Sequence, residues 1–60
     1  MKIVFLSSSE LEFMDEWYRD NVPRRGDMVE IYIGPKASVK KQFVVENVIW
    51  TNEGVVCHVE

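Results

Sequence analysis

Apolar and polar residues alternate along much of the chain, and the alternation predicts strands. Residues 28–33 read Met-Val-Glu-Ile-Tyr-Ile, which sets Val29, Ile31 and Ile33 on one face and Met28, Glu30 and Tyr32 on the other. Residues 55–60 place Val55, Cys57 and Val59 inward in the same way. Residues 42–50 make the longest predicted strand, but its phase slips: Phe43 and Val45 share one face, while Val48 and Trp50 fall on the opposite one. A β-bulge near Glu46 and Asn47 returns all four to one side, with Trp50 as a core residue packed by Phe43, Val45 and Val48. Residues 2–7 carry Ile3, Val4, Phe5 and Leu6. Both faces of that strand are apolar, so it is covered on both sides or forms part of an interface.

Residues 10–20 support two readings. As a strand, Leu11, Phe13 and Trp17 oppose Glu10, Glu12 and Glu16, an alternation broken by Met14 and Asp15. As a helix over about residues 9–20, Ser9 is the N-cap and Glu12 sits at N3 in a capping box, with Leu11, Met14 and Tyr18 along one stripe. The remaining segments are punctuation. Val22-Pro23 cannot continue a helix or a central strand. Arg24-Arg25-Gly26-Asp27 has turn composition, and Gly26 answers a need for positive φ or close backbone approach. Gly34-Pro35 ends a strand, residues 36–41 form a polar, basic loop, and Thr51-Asn52-Glu53-Gly54 makes a hairpin turn. Four or five short strands joined by turns predict one mainly β domain, a small and strongly bent barrel. The alternative is an α+β fold with the helix at residues 9–20.

The run Val22-Pro23-Arg24-Arg25-Gly26-Asp27-Met28-Val29, followed by Phe43-Val44-Val45-Glu46-Asn47-Val48-Ile49-Trp50 and a valine-rich last strand, resembles small SH3-like barrel proteins encoded by bacteriophages and other mobile elements. In those proteins a Pro-x-x-Gly-Asp turn opens a strand, and the paired strand carries an aromatic-x-Val-x-x-Val-x-Trp pattern. The resemblance covers residues 22–60. It implies an SH3-like barrel, a cytoplasmic phage or bacterial product, and no catalytic residues.

Composition narrows the function classes. Sixty residues, 47% hydrophobic and 28% charged, suffice for one folded domain of marginal stability. The formal net charge of −3 argues against nucleic acid as the main ligand, because phosphate binding needs a basic surface. The single cysteine, Cys57, rules out an intramolecular disulfide and points to the cytosol. The apolar start ends at Leu6, too short for a signal peptide, and no stretch approaches the ~20 apolar residues of a membrane span.

No set of residues reads as an active site. Cys57 and His58 are neighbours on a strand and point to opposite faces, so they form no nucleophile–base dyad. One Cys and one His are too few for a metal site, and no phosphate-cradling glycine motif exists, so no cofactor is expected. Glu10, Glu12, Asp15, Glu16 and Asp20 read as a solvated face or an acidic docking rim. Arg25-Gly26-Asp27 spells an integrin-binding tripeptide that turn chemistry explains. Arg24, Arg25, Lys36, Lys40 and Lys41 lie in two loops. If these converge, they make a basic edge able to touch nucleic-acid phosphates.

Met28, Tyr32, Val44 and Val56 face away from the core on these phases, and Val4 and Leu6 can join them. With Tyr18 they are the expected partner-binding residues. Either the segment at residues 10–20 covers this face as a helix, or another protein chain does, self-association included. The expected function is a non-catalytic protein-binding module that binds, and inhibits or redirects, a host protein. Nucleic-acid binding and a structural role in a virion or other assembly are the alternatives.

Overall fold

The structure is a computed structural model that describes residues 1–60. Five strands follow in order: β1 (Lys2–Ser7), β2 (Phe13–Tyr18), β3 (Met28–Ile33), β4 (Val39–Thr51) and β5 (Gly54–Val59). A 3-10 turn, Pro35–Ala37, joins β3 to β4. The strands form one sheet in the order β2-β1-β5-β4-β3. All neighbours are antiparallel except β1 and β5, which are parallel. The sheet curls until β2 and β3 approach each other without a hydrogen-bonded ladder, giving a nearly closed barrel consistent with a small SH3-like fold.

Extra residues in the strands produce the curl, because a bulge bends its strand and increases the local twist. In β4, Val45 stands opposite Val59 and Asn47 opposite His58, so Glu46 is the inserted residue. This is the bulge expected from the phase slip. It is also the pivot of β4, which pairs with β3 up to Val44 and, from Val44 onward, with β5 and the Glu60 that follows it. In β2, Asp15 opposes Phe5 and Phe13 opposes Leu6, so Met14 is the extra residue. That insertion is why the alternation in residues 10–20 broke. Only residues 13–18 of the segment form a strand, with Leu11 outside it and Phe13 exposed on the face opposite Trp17, and the helix over residues 9–20 does not form. Its capping serine role also moves: the Ser7 hydroxyl accepts from the N–H groups of Glu10 and Glu12, within a turn.

A third irregularity opens β3. Asp27 N–H donates to Arg24 C=O at 2.9 Å, closing a turn with Gly26 at φ +93° in its third position. Gly26 N–H donates to Val45 C=O and Val45 N–H donates to Asp27 C=O, both at 2.8 Å. Two residues thus face one, with glycine in the positive-φ place.

The core is Ile3, Phe5, Val29, Ile31, Val45, Val55, Cys57 and Val59, with Met14, Trp17, Val22, Ile33, Phe43 and Val48 packed against it. The inward residues expected on β3 and β5 are all here. Trp50 is the correction: it is 63% exposed. The bulge does return it to the inner phase, opposite Val55. But it sits one residue from the β4–β5 turn, where no further strand arrives to cover it. The tryptophan that joins the core is Trp17, whose ring meets Phe5 edge-on at 4.5 Å between centroids. Lys40 and Lys41 also move from the expected loop onto β4, which begins at Val39.

Candidate functional site

The outer side of the barrel follows from register, since directly opposed residues share a face. On β3 and the first half of β4, Met28 lies opposite Val44, Glu30 opposite Gln42 and Tyr32 opposite Lys40. Met28, Val44 and Tyr32 are all exposed, Tyr32 by 54%. These three expected partner-binding residues therefore share one surface. Val56 does not join them. It belongs to a separate row across β1, β5 and the second half of β4, where Val4, Val56 and Ile49 stand side by side. The Glu46 pivot divides the two. Leu6 stands one step along, beside His58. Tyr18 is on β2 opposite Lys2, and its hydroxyl donates to Glu16 Oε2 at 2.8 Å. No helix covers either apolar surface.

Met28, Glu30 and Tyr32 also form a free strand edge. Antiparallel ladders alternate between bonded and non-bonded pairs. Val45 is bonded to Asp27, so the next bonded pairs are Val29–Phe43, Ile31–Lys41 and Ile33–Val39. Met28, Glu30 and Tyr32 turn their N–H and C=O groups away from β4, toward β2, which does not pair with them. An open cleft of about 1030 Å³ lies along this edge. Met28, Glu30 and Tyr32 line one wall; Trp17, Arg19, Val22 and Pro23 line the other. Arg19 holds its guanidinium carbon 4.0 Å from the centre of the Trp17 ring, so the far wall is a stacked cation and indole.

The basic residues do not form one edge. Arg24 and Arg25 precede β3 and Lys36 follows it. The strand between spans about 20 Å at ~3.3 Å per residue, beyond the ~8 Å over which exposed charges act at physiological salt. Lys40 and Lys41 are successive strand residues on opposite faces. Lys40 pairs with Glu30 at 3.7 Å, and Lys41 sits 5.9 Å from the Phe43 ring.

Of the acidic residues, Glu10, Glu12 and Asp15 line one open cleft, while Glu16 and Asp20 lie outside it. Asp15 accepts from Trp17 Nε1 at 3.0 Å, and Glu16 pairs with Lys2 at 3.4 Å. The Tyr18 hydroxyl, and then Lys2, hold the Glu16 carboxyl below its ordinary value. No group of three or more His, Cys, Asp or Glu side chains is placed to hold a metal ion. Cys57 is buried and His58 points outward, the opposed placement expected of strand neighbours. Burial pushes the Cys57 thiol up, which disfavours the thiolate that a nucleophile requires. No helix is long and apolar enough to cross a membrane. The free β3 edge is the feature that face alternation alone did not reveal, because it depends on which neighbour β3 lacks. No family model, curated protein or solved structure matches the chain.

Proposed function

We propose that the chain is a non-catalytic protein-binding module, encoded by a phage or other mobile element and acting in the bacterial cytoplasm. It docks a protein, a host protein or a second copy of itself, on β3. The supporting observation is that Met28 and Tyr32 offer exposed apolar side chains and, with Glu30, unpaired backbone groups on one strand beside an open cleft. A docked segment gains a ladder of main-chain bonds from the edge, and an anchor from a tyrosine with an apolar body and a polar tip. Inhibiting or redirecting a host protein is the consequence of such docking. The nucleic-acid reading has weaker support, because the arginines and lysines are split between the two ends of β3. A structural subunit would assemble into higher oligomers unaided.

Tyr32→Glu tests the proposal. Tyr32 lies outside the core, so the variant should fold, and placing a charge at the anchor should abolish association. Light scattering reads self-association, and capture from a host lysate followed by mass spectrometry reads a foreign partner. A folded variant that keeps every interaction of the parent protein removes β3 as the docking surface. A strongly salt-dependent affinity for RNA or DNA would instead favour the nucleic-acid reading.

A further inference from the structure

A second strand edge is open, at the far end of the barrel. β4 runs on to Thr51 after its last ladder partner on β3, where Met28 opposes Val44. Gly26 and Asp27 occupy the backbone groups of Val45. Beyond Val45 nothing pairs with this side of β4. The alternation shows which groups are left. Val44 and Glu60 exchange two bonds, at 2.8 and 3.0 Å. Past the bulge, Asn47, Ile49 and Thr51 take the bonded places opposite His58, Val56 and Gly54. Val48 and Trp50, opposite Cys57 and Val55, therefore turn their N–H and C=O groups to the open side. No turn or loop backbone group bonds to either of them.

A groove of about 350 Å³ runs along this edge. Val48 and Trp50 line one side, and Val22, Pro23, Arg24 and Arg25 line the other. Pro23 has no N–H to give a ladder, so this loop cannot itself complete the sheet there. The Trp50 side chain is left largely in water beside it. The Arg24 and Arg25 side chains are exposed and enter no ion pair or ring contact: the ion pairs of the molecule are Lys2–Glu16 and Lys40–Glu30, and the cation–ring contacts belong to Arg19 and Lys41, while the Arg24 backbone N–H donates to Asp27 Oδ2 at 2.8 Å.

We propose that this groove binds an extended acidic peptide segment, which adds as a strand beside Val48 and Trp50. The occupant's main chain bonds to the two free N–H and C=O pairs, and one of its apolar side chains packs on Trp50, Val22 and Pro23. Its carboxylates reach the guanidinium groups of Arg24 and Arg25, which suit carboxylate geometry. The chain's net charge of −3 does not forbid this. Asp27 stands beside Arg24, where its carboxylate is held by the Arg24 backbone N–H, but the molecule is 31 Å in its longest extent, so carboxylates at the far end lie well beyond the ~8 Å screening length. A single-stranded nucleic acid could also stack on an exposed tryptophan and contact arginine. It has no amide backbone to pair with a strand edge, and the free edge is what favours a peptide. This site is independent of Tyr32 and of the β3 surface.

The test titrates the full chain with a synthetic peptide alternating valine and glutamate, following backbone amide signals by NMR. The peptide should shift the Val48 and Trp50 amides and slow their exchange with solvent, leaving Met28, Glu30 and Tyr32 unmoved. Arg24→Ala combined with Arg25→Ala should weaken binding at least about tenfold with signal dispersion unchanged. Methylating the peptide's backbone nitrogens on its inward edge should abolish binding. Trp50→Ala, an exposed substitution, should also weaken it. Each of these results overturns the proposal: no binding at millimolar peptide; equal binding of a control peptide alternating valine and lysine; full binding of the N-methylated peptide; or displacement of the valine–glutamate peptide by oligothymidylate. Concentration-dependent shifts at Val48 and Trp50 without peptide also overturn it, because they assign the edge to a second copy.

Discussion

Replacing Trp50 with alanine should leave the protein folded, whereas replacing Phe5 should not. Trp50 is 63% exposed, so just over a third of its surface is covered. A tryptophan has about 150–250 Å² to bury. The covered share is thus roughly 55–90 Å², worth about 1–2 kcal/mol at ~25 cal/mol per Å². Phe5 is fully buried and packs on Trp17, and its truncation should cost about 3–5 kcal/mol. Stability of about 0.05–0.15 kcal/mol per residue gives a chain of 60 residues about 3–9 kcal/mol in all. Trp50→Ala therefore costs less than the whole margin throughout these ranges, whereas Phe5→Ala costs from about a third of it to more than all of it. Thermal melts followed by far-UV circular dichroism should show Trp50→Ala melting cooperatively, with Tm lower by roughly 4–16 °C. Phe5→Ala should show no cooperative transition, or one far lower. A Trp50→Ala protein that is unfolded at room temperature would refute the placement of Trp50 outside the core.

Glycine chemistry gives two further outcomes. A Cβ on Gly54, at φ +149°, would collide with the Lys2 carbonyl across the sheet, so Gly54→Ala should cost about 3 kcal/mol or more in urea unfolding. Gly26 has open space around it and only its φ of +93° to defend, so Gly26→Val should cost about 1–3 kcal/mol and Gly26→Asn distinctly less. Charge gives a third outcome. A hydrogen bond to Glu46, reinforced by its charge, holds the Glu60 carboxyl above its ordinary value. Between the ordinary and the raised value the folded state binds more protons than the unfolded, so stability falls as pH rises through that window. Glu46→Gln should remove the fall and melt higher than the parent above it. Glu16, whose carboxyl is lowered, contributes the opposite slope, lost as pH falls; it is common to both proteins and cancels in their difference. A difference in Tm that stays flat from mildly acid to neutral pH would contradict the Glu46–Glu60 coupling.

The strands that could be read from the sequence are those whose partners keep one register. Residues 28–33 alternate without interruption and became β3 with the expected bounds and inward face. The bulge at Glu46 was legible because four strong apolar residues straddled it. The bulge at Met14 was not, because the inserted residue is itself apolar and packs on the core. Its insertion put Leu11, Met14 and Tyr18 at helical spacing by coincidence. Trp50 shows a different limit. Periodicity gives the side on which a residue lies, not whether anything stands above it. Coverage at the end of a strand depends on the length of other strands and on where a turn falls. The same limit separated Val56 from Tyr32, and the arginines from the lysines.

The open edges follow from how a short chain shares its longest strand. β4 gives its first half to β3 and its second half to β5, with the Glu46 pivot between them. Each half therefore lacks a neighbour on the side that the other half has filled. Among residues 1–60, β3 and the end of β4 are thus left without a neighbour on one side. Unpaired edges invite unwanted association, and proteins guard them with charge, proline or short length. The β3 edge carries Glu30, already neutralised by Lys40, between two apolar side chains. The β4 edge faces Pro23 and two arginines whose guanidinium groups form no ion pair within the chain. An edge guarded only by unpaired positive charge repels basic strands and admits acidic ones. In that respect the arginines act as a selector as much as a guard. The places where this barrel fails to close are thus the places where a second chain has most to gain.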